Sequence, residues 1–309
     1  MARTDPRSLS LKAVIAECLA TCLFVYIGTG TATTFSSLQT SGGYTATLGS
    51  RADTVPGGIN EDVTTLLNNI TVNGSWGITT AFAFGLAITV LAFATGHLSG
   101  GQMNPAVTLG LALTGNLGVA QAAANMLAQI VGAILGSSFL FATIPDANSS
   151  SLGSNSIAPG IAVGNAMMGE IVMTFVLVSV VLETAINKKS LARAQAPLAI
   201  GFAVFCAHAV LLPIDGCSIN PARSLGPAIV SGIWPHTFWV FIVGPFVGAL
   251  FAVPFHLFFA SDWDTVRKTP KDPAIGLSPV TSCDQEMPFP ASGGTYKQGP
   301  DSPNIASKV

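Results

Sequence analysis

Charge is what this sequence lacks. Asp, Glu, Lys and Arg make up 9% of its 309 residues, against about 25% in an ordinary soluble domain. Half of the chain is apolar, so too few charges exist to cover the surface of a soluble fold of this size. A formal net charge of −2 argues against electrostatic binding of nucleic acid. Cysteine is scarce as well, and five scattered along a long chain make no disulfide framework. No His/Cys/Asp spacing suggests a metal site, and no nucleophile motif or phosphate-cradling glycine loop occurs, so no cofactor is expected. These exclusions leave an all-α, polytopic membrane protein.

What the sequence has instead is long apolar runs. Crossing about 30 Å of hydrocarbon takes roughly 20 largely apolar residues. Six segments qualify, at about 13–35, 76–94, 119–143, 161–182, 196–213 and 237–260, while 105–113 and 221–230 are too short to span. The first run follows Arg3, Arg7 and Lys12 as a signal peptide would, but it exceeds a signal core of about 7–15 residues and reads as a retained helix. Eleven of the thirteen Lys and Arg fall on one side of a six-span topology: three before the first span, Lys188, Lys189 and Arg193 after the fourth, and five in the tail. That bias predicts cytoplasmic termini. The expected organisation is a cytoplasmic N-terminus at 1–12, a channel domain at 13–260 with a long extracellular loop at 36–75, and a disordered cytoplasmic tail at 261–309, where seven prolines fall in 49 residues. Three Asn-x-Ser/Thr sequons, at Asn69, Asn73 and Asn148, lie in loops placed outside and are candidate glycosylation sites. Ser190 and Thr269 follow basic residues and could be phosphorylated, although plain exposed polar residues are the favoured reading.

The chain repeats itself. An offset of 116 aligns Gly85 with Gly201, Gly100 with Gly216, Asn104-Pro105-Ala106 with Asn220-Pro221-Ala222, and Gly110 with Gly226; an offset of 153 aligns Glu17 with Glu170 and Thr21 with Thr174. Each half holds three spans and one short segment. Three is odd, so the second half enters the membrane inverted, an arrangement that places sites near the midplane where interrupted helices meet. Asn is a strong N-cap and Pro suits the first helical position, so Asn-Pro-Ala starts a helix. Nine residues rise roughly 13 Å, about half the hydrocarbon thickness. Two such half-helices entering from opposite faces would meet N-terminus to N-terminus. Irregular backbone at that depth needs burial or water, and a water-filled pore supplies the latter.

The stretches Gly96-His97-Leu98-Ser99-Gly100-Gly101-Gln102-Met103-Asn104-Pro105-Ala106-Val107-Thr108 and Asp215-Gly216-Cys217-Ser218-Ile219-Asn220-Pro221-Ala222-Arg223-Ser224 resemble the aquaporin (major intrinsic protein) family over about residues 10–260. Residues 196–205 and 236–244 look most like the plasma-membrane branch of plants and algae. The resemblance implies the aquaporin-like fold, six transmembrane helices plus two re-entrant half-helices in an inverted repeat, and a homotetramer with one pore per subunit in the plasma membrane. It also implies a selectivity filter, which maps by spacing onto Phe84, His208, Cys217 and Arg223. Phe84 would narrow the passage, His208 would exchange hydrogen bonds with water, Arg223 would repel cations with a permanent charge, and Cys217 would leave room for the guanidinium. In the family, a cysteine at that place confers block by mercurials. Members that conduct glycerol usually replace the histidine with a small residue and carry Asp after the filter Arg. His208 and Ser224, with Ala228 and Phe238-Trp239, favour water instead. A broader pore for glycerol, urea, peroxide or carbon dioxide is the alternative, and a gradient-coupled transporter a more remote one.

Proton exclusion needs its own cause. Each half-helix presents about +0.5 elementary charge at its N-terminus, and two facing one point repel any cation. The amides of Asn104 and Asn220 would donate to a single water and break the relay of protons. Glu17 and Glu170, ionisable groups inside spans, are read as acceptors that brace the half-helix loops; a proton relay is the competing reading. His97 either lines the inner vestibule, making flow pH-sensitive, or packs a loop. Cys18 and Cys22 read as small buried residues. Between Leu113 and Gly118 there is no basic phosphorylation segment of the plant type, and residues 186–195 form a short loop, so gating through those sites does not carry over.

Overall fold

The structure is a computed structural model that describes residues 9–40, 75–144 and 151–260. Eight helices carry them: α1 (Leu11–Thr40), α2 (Ser75–Ser99), α3 (Pro105–Leu113), α4 (Val119–Thr143), α5 (Val163–Val181), α6 (Ala196–Asp215), α7 (Pro221–Ser231) and α8 (Val240–Ala260). No strand occurs among the described residues. All but α3 and α7 are long and apolar enough to cross a membrane. Their lipid-facing sides are apolar, with Leu19, Phe82, Leu127, Phe202 and Phe251 each about half exposed, because the hydrocarbon and not water surrounds them.

The repeat is visible in the packing. Within each half, first and third spans pair, α1 with α4 and α5 with α8. The half-helices do the opposite. α3 lies chiefly against α8 and α7 against α4, so each rests on the last helix of the other half. The halves meet where α2 crosses α6 at the repeat-related pair Gly85 and Gly201. A Cβ on Gly85 would come within 2.7 Å of the Gly201 carbonyl oxygen, and one on Gly201 within 2.5 Å of the Gly85 carbonyl oxygen. Close backbone approach of this kind replaces the hydrophobic effect as the glue between helices in lipid.

The helix boundaries depart from the expected spans in a few places. α1 continues five residues into the segment read as an extracellular loop, because 36–40 contains no Gly or Pro and a helix extends cooperatively once formed. α6 runs through Pro213 to Asp215 and stops at Gly216, a left-handed C-cap. α5 passes into a π-helical turn, Leu182–Ile186, which apolar periodicity does not report. The rest of the long loop, the tail with Thr269, and the sequons at Asn69, Asn73 and Asn148 lie outside the described residues.

Candidate functional site

The site begins with two N-caps. Asn104 is extended (φ −156°), and its Oδ1 accepts from Ala106 N at 2.8 Å. Asn220 repeats this (φ −157°), its Oδ1 accepting from Ala222 N at 3.1 Å and Arg223 N at 3.4 Å. With each oxygen so engaged, the amide nitrogens point the other way. Asn104 Nδ2 donates to the Ile219 carbonyl and Asn220 Nδ2 to the Met103 carbonyl, both at 2.8 Å. The half-helices therefore meet at their N-termini, tied crosswise. Each amide keeps a second N–H for a passing molecule.

The loops leading to these caps are strained in matching places. Gly100 and Gly216 have φ of 96° and 80°, Gly101 and Cys217 60° and 54°, and Met103 and Ile219 50° and 46°. Residues with a Cβ occupy the left-handed region at a cost of order 1–3 kcal/mol each and persist only where something holds them. The glutamates are positioned to do so. Glu17 accepts from Gln102 N at 2.9 Å and Met103 N at 2.7 Å, and Glu170 accepts from Ser218 N and Ile219 N, both at 2.7 Å. Both carboxylates are wholly buried. Glu17 also takes hydrogen bonds from Ser99 Oγ (2.5 Å) and Gln129 Nε2 (2.8 Å).

Beyond Asn220 the four residues mapped as a filter come together. Phe84 and His208 stack, with ring centroids 4.1 Å apart and planes 21° from parallel. Phe24 meets Phe84 edge-on at 5.6 Å, and the Arg223 guanidinium carbon lies 5.0 Å from the Phe84 centroid. Arg223 Nη1 donates to the Gly153 carbonyl at 2.7 Å and Nη2 to the Gly216 carbonyl at 3.4 Å. His208 Nδ1 is 2.9 Å from the Val204 carbonyl. A carbonyl only accepts, so Nδ1 carries the hydrogen and Nε2 is left as an acceptor with no protein partner. Cys217 N donates to Asp215 Oδ1 at 3.0 Å. None of the four is more than 2% exposed, so little open space is left around their side chains.

On the far side of the asparagines a cavity of about 410 Å³ opens, bounded by Asn104 and Asn220 at its deep end and by His97 and Arg193 toward its mouth. His97 stands exposed in that wall, and Ser190 lies in the turn between α5 and α6, its Oγ accepting from Ala192 N at 3.2 Å. Cys18 and Cys22 sit where α1 crosses α4 closely, opposite Gly132 and Gly136. No group of three metal-ligating side chains occurs among the described residues.

Several participants have no signature in the sequence. Gly28 on α1 leaves the room that the Phe84 ring fills: a Cβ there would overlap it. Gly153 and Asn155 lie in a connecting segment whose polar composition marks it only as a loop, yet Asn155 is wholly buried.

The Major intrinsic protein family matches residues 6–256. Among curated relatives, Aquaporin-1 of Sus scrofa and of Homo sapiens are each 37% identical, over 260 and 256 residues, which is 82% of this chain and 83% of theirs. A solved aquaglyceroporin from Plasmodium falciparum shares the fold, with a TM-score of 0.59 at 20% identity, over 83% of this chain and 98% of that one. Two capped half-helices meeting within a six-span inverted repeat, and this extent of likeness, place the chain in the major intrinsic protein (aquaporin) family.

Proposed function

We propose that this protein is a passive water channel, moving water along osmotic gradients while excluding protons and ions. The observation that carries the reading is the crosswise pairing of Asn104 and Asn220 at the meeting point of two helix N-termini, where both line an open cavity. Likeness to Aquaporin-1 over four-fifths of the chain supports water as the permeant.

Phe84, His208, Cys217 and Arg223 act as the filter in this reading. The stacked Phe84–His208 pair sets the width, His208 Nε2 accepts a hydrogen bond from water, and Arg223 supplies donors and a fixed positive charge. At the centre, Asn104 and Asn220 each offer one free N–H to the same water oxygen. That turns its hydrogens toward opposite ends of the file and interrupts the relay, while the two helix N-termini together oppose a cation with about one elementary charge. Glu17 and Glu170 brace the loops. The chain conducts and catalyses no reaction. The Lys and Arg bias supports cytoplasmic termini, and the family resemblance supports a plasma-membrane homotetramer.

Stopped-flow shrinkage of proteoliposomes under sucrose and then glycerol gradients tests this directly. Rapid water efflux with slow glycerol entry is expected. Equal permeability to both would remove the assigned filter, and dependence on a proton or sodium gradient would mean coupled transport.

A further inference from the structure

Residues 151–158, ahead of α5, are tied by hydrogen bonds both to the end of α6 and to the second half-helix, α7. Ala158 N donates to the Ile214 carbonyl at 2.8 Å, and Ser154 Oγ lies 3.3 Å from Ser231 Oγ. Between these ties is Asn155, polar but wholly buried. Its Nδ2 donates to the Asp215 carbonyl at 3.2 Å, at the end of α6, and its Oδ1 accepts from Ser224 Oγ at 2.8 Å, in the first turn of α7. One amide thus spans both flanks of the loop that carries Cys217, Asn220 and Arg223. Two residues before it, the Gly153 carbonyl takes the shorter of the two carbonyl hydrogen bonds that hold the Arg223 guanidinium. Leu152, beside that glycine, is also wholly buried, at a left-handed φ of 50°.

We infer that Asn155 is a positioning residue for selectivity: it locks the 151–158 strap onto α6 and α7 and so holds the Gly153 carbonyl where it fixes Arg223 across the pore. Asn155 acts through the arginine and does not itself touch the permeant. A side chain placed for fold stability alone would need neither the two-sided reach nor the adjacent carbonyl on Arg223. Without the Asn155 bonds the strap is freed at its middle, the guanidinium loses its better acceptor, and the charge and width at the constriction vary. Water, small and neutral, tolerates this better than the excluded species do.

This inference rests on the filter reading of Arg223, and the test separates the two. Asn155→Ala, Ser224→Ala, Arg223→Val and the Asn155→Ala/Arg223→Val double variant are reconstituted in full-length form, and proton and glycerol fluxes are divided by water flux in the same vesicles. Arg223→Val should raise both ratios; if it does not, the filter reading itself fails. Asn155→Ala, which removes both amide bonds, should raise them in the same direction by at least about fivefold, the population shift expected from one lost hydrogen bond. Ser224→Ala, which breaks one of those two bonds from the helix side, should shift them in the same direction, so the test does not depend on one variant folding. Adding Asn155→Ala to Arg223→Val should change nothing further. Unchanged ratios in both Asn155→Ala and Ser224→Ala would overturn the inference, as would an equal effect of Asn155→Ala with and without the arginine.

Discussion

Replacing Glu170 with alanine removes both acceptors that hold the second half-helix loop. Ser218 N and Ile219 N, each bonded to a carboxylate oxygen at 2.7 Å, are then left buried without partners. Each orphaned N–H costs about 1–3 kcal/mol, so the pair costs about 2–6 kcal/mol. Ile219, left-handed at φ 46°, would also lose the contact that holds it there. Against a total stability of about 5–15 kcal/mol for a typical protein, that is a large fraction. Glutamine keeps one acceptor and turns an NH₂ toward the other N–H, so Glu170→Gln should lie between wild type and Glu170→Ala. The assay is the unfolding midpoint of purified protein in detergent, with osmotic water permeability measured well below it. The expected order is wild type, then Gln, then Ala, with water flow falling in step as the Asn220 cap loosens. Midpoints for both variants within about 0.5 kcal/mol of wild type, a shift typical of uninvolved surface positions, would refute the bracing role. Altered proton flux at unchanged stability would restore the relay.

Asn104→Asp exchanges a donor for an anion beside two N-termini worth together about one positive charge. It should collapse the cation barrier, seen as faster decay of an imposed pH gradient in vesicles; a wild-type leak rate would contradict the account. Cys217→Ser should retain water flow but lose the block by mercurials that the family resemblance predicts, and a Ser variant still blocked would place the reactive thiol elsewhere. Gly201→Ala would set a methyl 2.5 Å from the Gly85 carbonyl and against Thr89 Oγ1. Overpacking of this kind should lower stability by about 1–3 kcal/mol, read from the unfolding midpoint. An unchanged midpoint would mean that α2 and α6 separate freely.

Much of this molecule is legible in its sequence because lipid imposes few solutions. Apolar length marks the spans so strongly that α4 and α3 begin and end where composition alone places them, at Val119–Thr143 and Pro105–Leu113. Asn-Pro fixes a helix start by capping and by the missing N–H of proline, both local effects. What escapes a linear reading is contact between polar residues distant in sequence. Asn155 and Gly153 have no period and no motif, and only the fold brings them to Ser224 and Arg223, some 70 residues on. The link from Glu183 on the π-helical turn to His256 on α8, at 2.8 Å, is hidden for the same reason. Gly28 looks like any other glycine in an apolar helix until the Phe84 ring is seen against it.

The crosswise bonds of Asn104 to Ile219 and Asn220 to Met103 also set an order of assembly. A chain synthesised from its N-terminus delivers Asn104 and the Met103 carbonyl more than a hundred residues before their partners exist. Until 216–224 arrive, these groups can be satisfied only by water or by temporary partners. The centre of the conducting path cannot be completed before the second loop docks on the first. A single repeat expressed alone could reach the same state only by finding another copy of itself inserted upside down.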